Sequence, residues 1–176
     1  MNVPVDSYLI SVILINFNNA EGLRKTLNSL DIQSYKNYQL IYIDAGSTDE
    51  SIQIADSYSH IISKKIIGED NGIYDAMNIG IKFANGQYFI FLNSGDYLYS
   101  PDVFSYFSEQ TNNDNVNHVF FGYASTISDN TSWLFPSSKY TININILKKW
   151  LQEYEPTHQQ CFSHILFVNS IAMIHH

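Results

Sequence analysis

Residues 9–15 read Leu-Ile-Ser-Val-Ile-Leu-Ile, and this run decides the fold class. Its nearly continuous apolar and β-branched side chains are typical of a parallel strand that is buried on both faces. A helical pattern follows, with leucines at the i, i+4, i+7 spacing of one buried face: Leu23, Leu27 and Leu30. A buried strand followed by an amphipathic helix is the repeating unit of an α/β domain with a parallel sheet.

The same alternation continues along the chain and predicts one α/β domain over residues 1–176. Asn18 or Asn19 caps the first helix, and Asp49 and Glu50 are expected in the first turn of the second, where carboxylates interact favourably with the helix dipole. The other expected strands are 39–43, 61–67, 88–92 and 118–124, and the other expected helices are 48–58, 73–84, 101–109 and 144–154.

Charge and cysteine content exclude several classes of protein. Nine Lys and Arg against 17 Asp and Glu give a net charge of −8, which is the wrong sign for neutralising nucleic-acid phosphates. Cys161 is the only cysteine, so this chain alone forms no intrachain disulfide, and an intracellular protein is expected. The apolar stretch 8–17 lacks a basic flank and is too short to span a bilayer, so we expect neither a signal peptide nor a membrane anchor.

Polar side chains stand where three of the predicted strands end. These ends are Asn-Phe-Asn at 16–18, Asp-Ala-Gly-Ser-Thr-Asp at 44–49 and Asn-Ser-Gly-Asp at 93–96. In open α/β sheets, ligands bind at the carboxyl ends of the strands, so a binding cleft is expected there. The same residue types also cap helices and form turns, and each stretch alone has that structural explanation.

Two common phosphate-binding signatures are missing from the strand ends. No glycine-rich turn follows the first strand, which disfavours a nicotinamide-dependent oxidoreductase, and no P-loop is present. With one Arg and eight Lys in the chain, a bound diphosphate needs another source of positive charge. A divalent cation supplies it, and the Asp96 carboxylate suits Mg²⁺ or Mn²⁺, although Asp96 could also be an ordinary turn residue.

Four ordered blocks carry these polar residues: 11–18 (SVILINFN), 43–51 (IDAGSTDES), 69–80 (EDNGIYDAMNIG) and 91–96 (FLNSGD). In order and spacing they resemble family 2 nucleotide-sugar glycosyltransferases with a GT-A fold. The third and fourth blocks are especially similar to the branch that builds bacterial surface polysaccharides, including colanic-acid-type enzymes. The resemblance implies a Rossmann-like three-layer sandwich with a central, mostly parallel sheet. A nucleotide-sugar half would occupy about 8–100, and an acceptor-side half would occupy about 101–176.

The resemblance implies a base pocket at the first two strand ends. Phe17 stands where the family has an aromatic ring that packs on the donor base, and Asp44 matches the carboxylate that accepts a hydrogen bond from that base. Both roles agree with the chemistry of the side chains, because a ring offers a π face and a carboxylate accepts from N–H donors. Asn18 and Ser47 belong to the same expected donor-binding set.

The sugar side of the donor cleft is expected from the third and fourth blocks. The resemblance places Asp70, Asn71 and Asn78 around the donor sugar, and Ser94 completes the donor-binding set. A structural alternative exists for Asp70, since a carboxylate also stabilises a helix N-terminus.

Asp96 matches the last carboxylate of the family's Asp-x-Asp-like element, which holds a divalent metal against the donor diphosphate. The resemblance therefore implies Mg²⁺ or Mn²⁺ as cofactor. Asn93 and Gly95 stand where many relatives have further Asp residues, so the site has fewer anionic ligands and a weaker metal affinity is expected.

The acceptor side is expected near His158-Gln159, which resembles a His-Gln pair of the same branch. His158 and Glu155 are the candidate catalytic residues. The catalytic base stays open, because the carboxylates after Asp96 are Asp102, Glu109, Asp114, Asp129, Glu153 and Glu155, of which the last two are nearest to His158 in sequence. Relatives continue well beyond this pair, so the chain is expected to be shortened at its C-terminus, with an incomplete acceptor half.

The function that the resemblance implies is inverting transfer of a sugar from a nucleoside-diphosphate donor, expected to be a UDP-sugar. The acceptor would be a bacterial polysaccharide or a lipid-linked glycan, met on the cytoplasmic side of a membrane. Peripheral membrane contact through Lys148-Lys149-Trp150 is weighed against an ordinary solvated helix end. The alternative function is a non-catalytic sugar-nucleotide binder that keeps the donor site but lacks a competent base.

Overall fold

The computed structural model describes residues 8–111, 119–121, 124–128, 131–135 and 166–168. The expected helix 144–154 and the candidates Glu155 and His158 lie outside these residues. Two compact units divide the chain: Met1–Phe120 with Phe167–His176, and Phe121–Leu166. In the first unit, no helix among the described residues is long and apolar enough to cross a membrane.

The elements alternate between strands and helices up to residue 111. The strands are β1 (Ile10–Asn16), β2 (Tyr38–Asp44), β3 (Ile62–Ile67), β4 (Tyr88–Asn93), β5 (Val119–Phe121), β6 (Ala124–Ser128), β7 (Thr131–Phe135) and β8 (Leu166–Val168). The helices are α1 (Ala20–Asp31), α2 (Ser51–Ser57), α3 (Ile73–Phe83) and α4 (Val103–Thr111).

The main sheet has the order β3-β2-β1-β4-β8-β5. Strands β3, β2, β1 and β4 are parallel, while β8 runs antiparallel to β4. The central strands β1 and β2 are buried along their whole length, as the apolar run 9–15 predicts. Edge strand β3 is largely exposed and carries Lys64 and Lys65, side chains that protect a free edge from pairing with another chain.

Helices cover both faces of this sheet. On β2, the Tyr38 hydroxyl donates to the Leu30 carbonyl of α1, whereas Ile43, which points to the other face, packs beside Gly80 of α3. Helix α2 packs beside α1. The approach of α3 is close, because a Cβ added at Gly80 would lie 2.3 Å from Cγ2 of Ile13. The expected three-layer α/β architecture is confirmed.

Two local expectations are wrong. Helix α2 begins at Ser51, so Asp49 and Glu50 precede it instead of forming its first turn. The Asp49 carboxylate accepts from the N–H groups of Ser51 and Ala20, and these bonds stabilise a loop conformation up to residue 50. The single strand expected over 118–124 is two strands in different sheets, since β5 belongs to the main sheet and β6 pairs with β7.

Candidate functional site

The three polar strand ends lie side by side in the sheet and are joined by hydrogen bonds. In the parallel register, Asn16 lies opposite Asp44 and Ile15 lies opposite Asn93. The Ser94 N–H donates to the Ile15 carbonyl at 2.9 Å, so the loop after β4 starts against the end of β1. The expected convergence at the carboxyl edge of the sheet is therefore present.

Asp44 lies at the centre of a buried polar network. Its side chain is fully buried and receives five hydrogen bonds. Oδ2 accepts from the Tyr42 hydroxyl at 2.6 Å, Asn16 Nδ2 at 2.7 Å and the Ser47 hydroxyl at 2.9 Å. Oδ1 accepts from the N–H groups of Ser47 at 2.6 Å and Gly46 at 3.1 Å. A carboxylate offers about four lone-pair positions, so this network occupies all of them.

The network sets the charge of its two acidic groups. Burial by itself would raise the pKa of Asp44, but the hydrogen bonds from Tyr42, Ser47 and Asn16 outweigh it and lower the pKa below its usual value. Burial, together with the bond to Asp44 and its charge, raises the pKa of Tyr42. At neutral pH, Asp44 is ionised and Tyr42 is a neutral donor.

Ser47 and Asn18 connect the first two strand ends. The Ser47 hydroxyl accepts from the Asn18 N–H at 2.8 Å, and Asn18 Oδ1 accepts from the Thr48 N–H at 2.8 Å. Asn18 adopts a left-handed backbone with φ of 47°, which Asn tolerates better than most residues. Phe17, one residue earlier, is 61% exposed beside this junction. Its ring is available to a ligand, while Asn18 and Ser47 shape the loops around it.

Asp96 lies in the tight loop that follows β4. Its Oδ2 accepts from the Asn93 N–H at 3.0 Å and from Asn93 Nδ2 at 3.4 Å, and its own N–H donates to the Asn93 carbonyl at 2.9 Å. Among the described residues, Oδ1 accepts no hydrogen bond. Burial raises the pKa of this carboxyl, and the bonds from Asn93 offset that effect only in part.

The donor set at Asp96 fits a hard divalent cation that takes most of its ligands from phosphate and water. Within the described residues, no group of three or more His, Cys, Asp or Glu side chains is placed to hold a metal. Mg²⁺ is commonly bound by one or two carboxylates together with substrate phosphates, and the Oδ1 atom of Asp96 is suited to such a site. A cation would also stabilise the charged form that burial disfavours.

The third block forms a separate local structure at the start of α3. The Asp70 carboxylate accepts from the Gly72 N–H at 2.9 Å, and Asp75 accepts from the backbone and side-chain N–H groups of Asn71 at 3.0 and 3.2 Å. Asn78 is exposed on the side of α3 opposite to buried Ala76. No hydrogen bond among the described residues joins Asp70, Asn71 or Asn78 to the Asp44 network, so their roles toward the donor sugar remain predictions.

Asn16 and Tyr42 are two members of the site that the sequence reasoning did not select. Asn16 is 2% exposed and donates to Asp44, while its own Oδ1 has no hydrogen-bond partner within the described structure. The signal was present in the sequence, because a polar residue ends each of two adjacent apolar strands. In a parallel pair those positions fall opposite each other, and Tyr42 lies on the same face two residues earlier.

This geometry coincides with a match to a known family. The profile described as Glycosyl transferase family 2 matches residues 11–172. The chain belongs to glycosyl transferase family 2. The family match covers all four blocks.

Bacterial glycosyltransferases are among the relatives of this chain. A PGL/p-HBAD biosynthesis glycosyltransferase of Mycobacterium bovis is 35% identical over 98 residues, which are 54% of this chain and 38% of that protein. An uncharacterised glycosyltransferase of Rickettsia prowazekii is 35% identical over 103 residues, which are 58% of this chain and 32% of that protein. The match thus spans about a third of the length of each of these curated relatives.

Solved structures of glycosyltransferases share the fold. S. aureus TarS, residues 1–349, in complex with UDP-GlcNAc matches with a TM-score of 0.57 and 24% identity, over 62% of this chain and 32% of that chain. The mannosyltransferase PcManGT of Pyrobaculum calidifontis, in complex with GDP-Man and Mn²⁺, matches with a TM-score of 0.56 and 17% identity, over 65% of this chain and 36% of that one. The expected GT-A-like α/β fold is confirmed.

Proposed function

We propose that this chain carries the donor-binding part of an inverting glycosyltransferase that uses a nucleoside-diphosphate sugar, with a UDP-sugar as first choice. The supporting observation is the grouping of exposed Phe17, ionised Asp44 and half-buried Asp96 at the ends of β1, β2 and β4. Family membership adds to this support, as does the UDP-GlcNAc bound by the TarS structure.

In this proposal the base lies against the Phe17 ring with its N–H edge toward Asp44. All acceptor positions of Asp44 are already occupied, and its weakest donor by distance is the Gly46 N–H at 3.1 Å. A base N–H competes for that position, and the fixed negative charge favours a base with a donor at that edge. Uracil and guanine both have such a donor, so UDP and GDP are the ligands to compare.

The diphosphate lies toward Asp96 in the same proposal. Mg²⁺ or Mn²⁺ held by the Asp96 carboxylate would neutralise the charge that develops on the departing nucleoside diphosphate. The PcManGT structure is a complex with GDP-Man and Mn²⁺, which is consistent with such a site here. Because Asn93 and Gly95 contribute no carboxylate, we expect a weak metal affinity in the absence of nucleotide.

Inversion follows from a single displacement. The acceptor hydroxyl oxygen forms a bond to the anomeric carbon as the bond to the diphosphate breaks, and the hydroxyl proton goes to a base. His158 and Glu155 are the proposed candidates for that base. We place the acceptor among bacterial surface polysaccharides and lipid-linked glycans, and the reaction at the cytoplasmic face of a membrane.

A second candidate function is binding of a sugar nucleotide without turnover. It is favoured by the stretch 93–96, in which Asp96 is the one carboxylate. A product assay separates the two functions, since only the enzyme releases UDP from a UDP-sugar in the presence of acceptor. A product that retains the donor's anomeric configuration would contradict inversion.

Calorimetric titration with UDP, with and without Mn²⁺, tests the donor site directly. We expect UDP to bind, and Mn²⁺ to strengthen its binding. NAD should not bind, and the affinity for GDP compared with that for UDP shows which base the site prefers. Asp96→Asn should remove the gain from Mn²⁺ while leaving metal-free UDP binding unchanged. The matched control is Asp102→Asn on the same segment, whose carboxylate accepts from Ser34. If Asp96→Asn keeps the full gain, Asp96 is not the metal ligand.

A further inference from the structure

Polar side chains on α1 and at its two ends bind the chain segment that follows β4. Asn19 Nδ2 donates to the Ser94 carbonyl at 2.7 Å, and the Thr26 hydroxyl accepts from the Gly95 N–H at 3.0 Å. The Ser29 hydroxyl accepts from the Leu98 N–H at 3.1 Å, and Gln33 Nε2 donates to the Ser100 carbonyl at 2.8 Å. We call Asn19, Thr26, Ser29 and Gln33 the α1 polar stripe.

Burial makes these contacts energetically important. Thr26 and Gln33 are fully buried and Ser29 is 6% exposed. A buried hydroxyl or amide destabilises the fold unless it is hydrogen-bonded. Thr26 donates its proton to the Gly22 carbonyl at 3.1 Å, which leaves a lone pair directed at the Gly95 N–H. The stripe therefore specifies where the segment lies as well as adding stability.

The segment that the stripe binds contains Asp96. Gly95 has φ of 110°, and a Cβ added there would lie 3.7 Å from Asn19 Nδ2. Asp96 follows directly, and its polar contacts among the described residues are with Asn93 in the same loop. Outside the loop, the Ile15 carbonyl accepts from Ser94, and the side chains that bind the loop backbone among the described residues are those of Thr26 and Asn19.

We propose that Thr26 and Asn19 are positioning residues for Asp96. This inference rests on the proposed function, in which Asp96 holds the divalent cation against the donor diphosphate. Helix α1 starts at the base side, directly after Phe17 and Asn18, and its side chains bind the Asp96 loop. The helix therefore fixes the distance between the base pocket and the metal ligand.

Thr26→Val removes the hydroxyl at nearly constant volume and leaves the Gly95 N–H without its acceptor. If the loop then holds Asp96 correctly only about one tenth of the time, the apparent metal-assisted Kd for UDP rises about tenfold. We expect this loss in the presence of Mn²⁺, and an unchanged Kd for UDP in its absence. Thr26→Ser keeps the hydroxyl and should restore the wild-type affinity.

Ser11→Ala is the matched control. The buried Ser11 hydroxyl accepts from the Gly86 N–H at 2.8 Å and donates to Gln39, the same chemistry at the opposite end of β1. It should lower stability without changing the effect of Mn²⁺ on UDP binding. Amide hydrogen exchange of the ligand-free protein gives a second readout, in which Thr26→Val accelerates exchange at Gly95 and Ser11→Ala does not.

The outcomes separate the two proposals. If Mn²⁺ does not change the affinity of the wild-type chain for UDP, both the proposed function and this inference are wrong. If Mn²⁺ raises the UDP affinity of the wild-type chain and of Thr26→Val by the same factor, the inference alone is wrong. If Thr26→Val does not fold, Asn19→Ser replaces it: serine keeps a cap for α1 but is too short to reach Ser94 as well. An unchanged response of Asn19→Ser to Mn²⁺ would likewise overturn the inference.

Discussion

Tyr42→Phe tests whether the buried network holds Asp44 in its charged form. The substitution removes one hydroxyl and keeps the ring, which is fully buried in β2. The lost bonds are the 2.6 Å contact to Asp44 Oδ2 and a 3.3 Å bond that the hydroxyl accepts from Asn16 Nδ2, while Asn16 and Ser47 continue to donate to Asp44 Oδ2. A hydrogen bond to a charged group contributes about 2 kcal/mol, so we expect the free energy of unfolding at pH 7 to fall by about that amount.

The loss should depend on pH in a defined direction. The pKa of Asp44 is lowered by folding, so its contribution to stability is present above the unfolded pKa of about 3.9 and is lost as pH falls through the folded value. Tyr42→Phe raises the folded pKa of Asp44, because the charged form loses a donor. The destabilisation should therefore be largest at neutral pH and shrink below about pH 4.

Tyr38→Phe on the same strand is the matched control. The Tyr38 hydroxyl donates to the neutral Leu30 carbonyl at 2.9 Å, and burial raises its pKa to about 12. We expect a loss of about 1 kcal/mol that stays constant from pH 3 to pH 8. Urea unfolding of both variants across this range measures the difference. If Tyr42→Phe costs no more than Tyr38→Phe, or its cost does not vary with pH, the hydroxyl does not stabilise a charged Asp44.

Two further substitutions test the base site and the packing beneath it. Phe17→Ala should weaken the binding of UDP and of UDP-sugars by similar factors, and it should change the free energy of unfolding by less than about 0.5 kcal/mol because the ring is exposed. If calorimetric titrations show a loss of affinity for one UDP-sugar alone, Phe17 does not contact the base. Gly80→Ala should lower the free energy of unfolding by about 1–3 kcal/mol because its Cβ would overlap Ile13, whereas Gly68→Ala, with open space around it, should be neutral in the same urea experiment.

The sheet and its helices were predictable because burial on both faces leaves a continuous apolar signal. Strands β1, β2, β3 and β4 lie within one residue of their expected positions. Errors arose where hydrogen bonds between distant loops decide the structure. Asp49 looks like a first-turn residue by local rules, but its bonds to Ser51 and Ala20 place it before the helix.

The position of the candidate site could be predicted from the sequence, but the hydrogen bonds between its residues could be predicted only in part. That polar residues cluster at three strand ends follows from parallel topology alone. The two polar strand ends indicate Asn16 as a neighbour of Asp44, but the bond from the Ser47 hydroxyl depends on a loop turn that is set only in the folded backbone. The same holds for the Thr26 bond to Gly95, which joins residues 69 positions apart in the chain.

Asp44 and Asp96 illustrate how the fold gives the same side chain two different properties. Five donors surround Asp44 and lower its pKa, whereas only Asn93 donates to Asp96 among the described residues, and burial raises the pKa there. Asp44 is therefore ionised without help from a ligand and suits a fixed structural charge beneath the base. The charged form of Asp96 is stabilised in part by Asn93, and a cation close to its carboxylate would stabilise it further. Two carboxylates on neighbouring loops with opposite shifts are thus suited to different tasks, one to hold the loops and one to bind a cation.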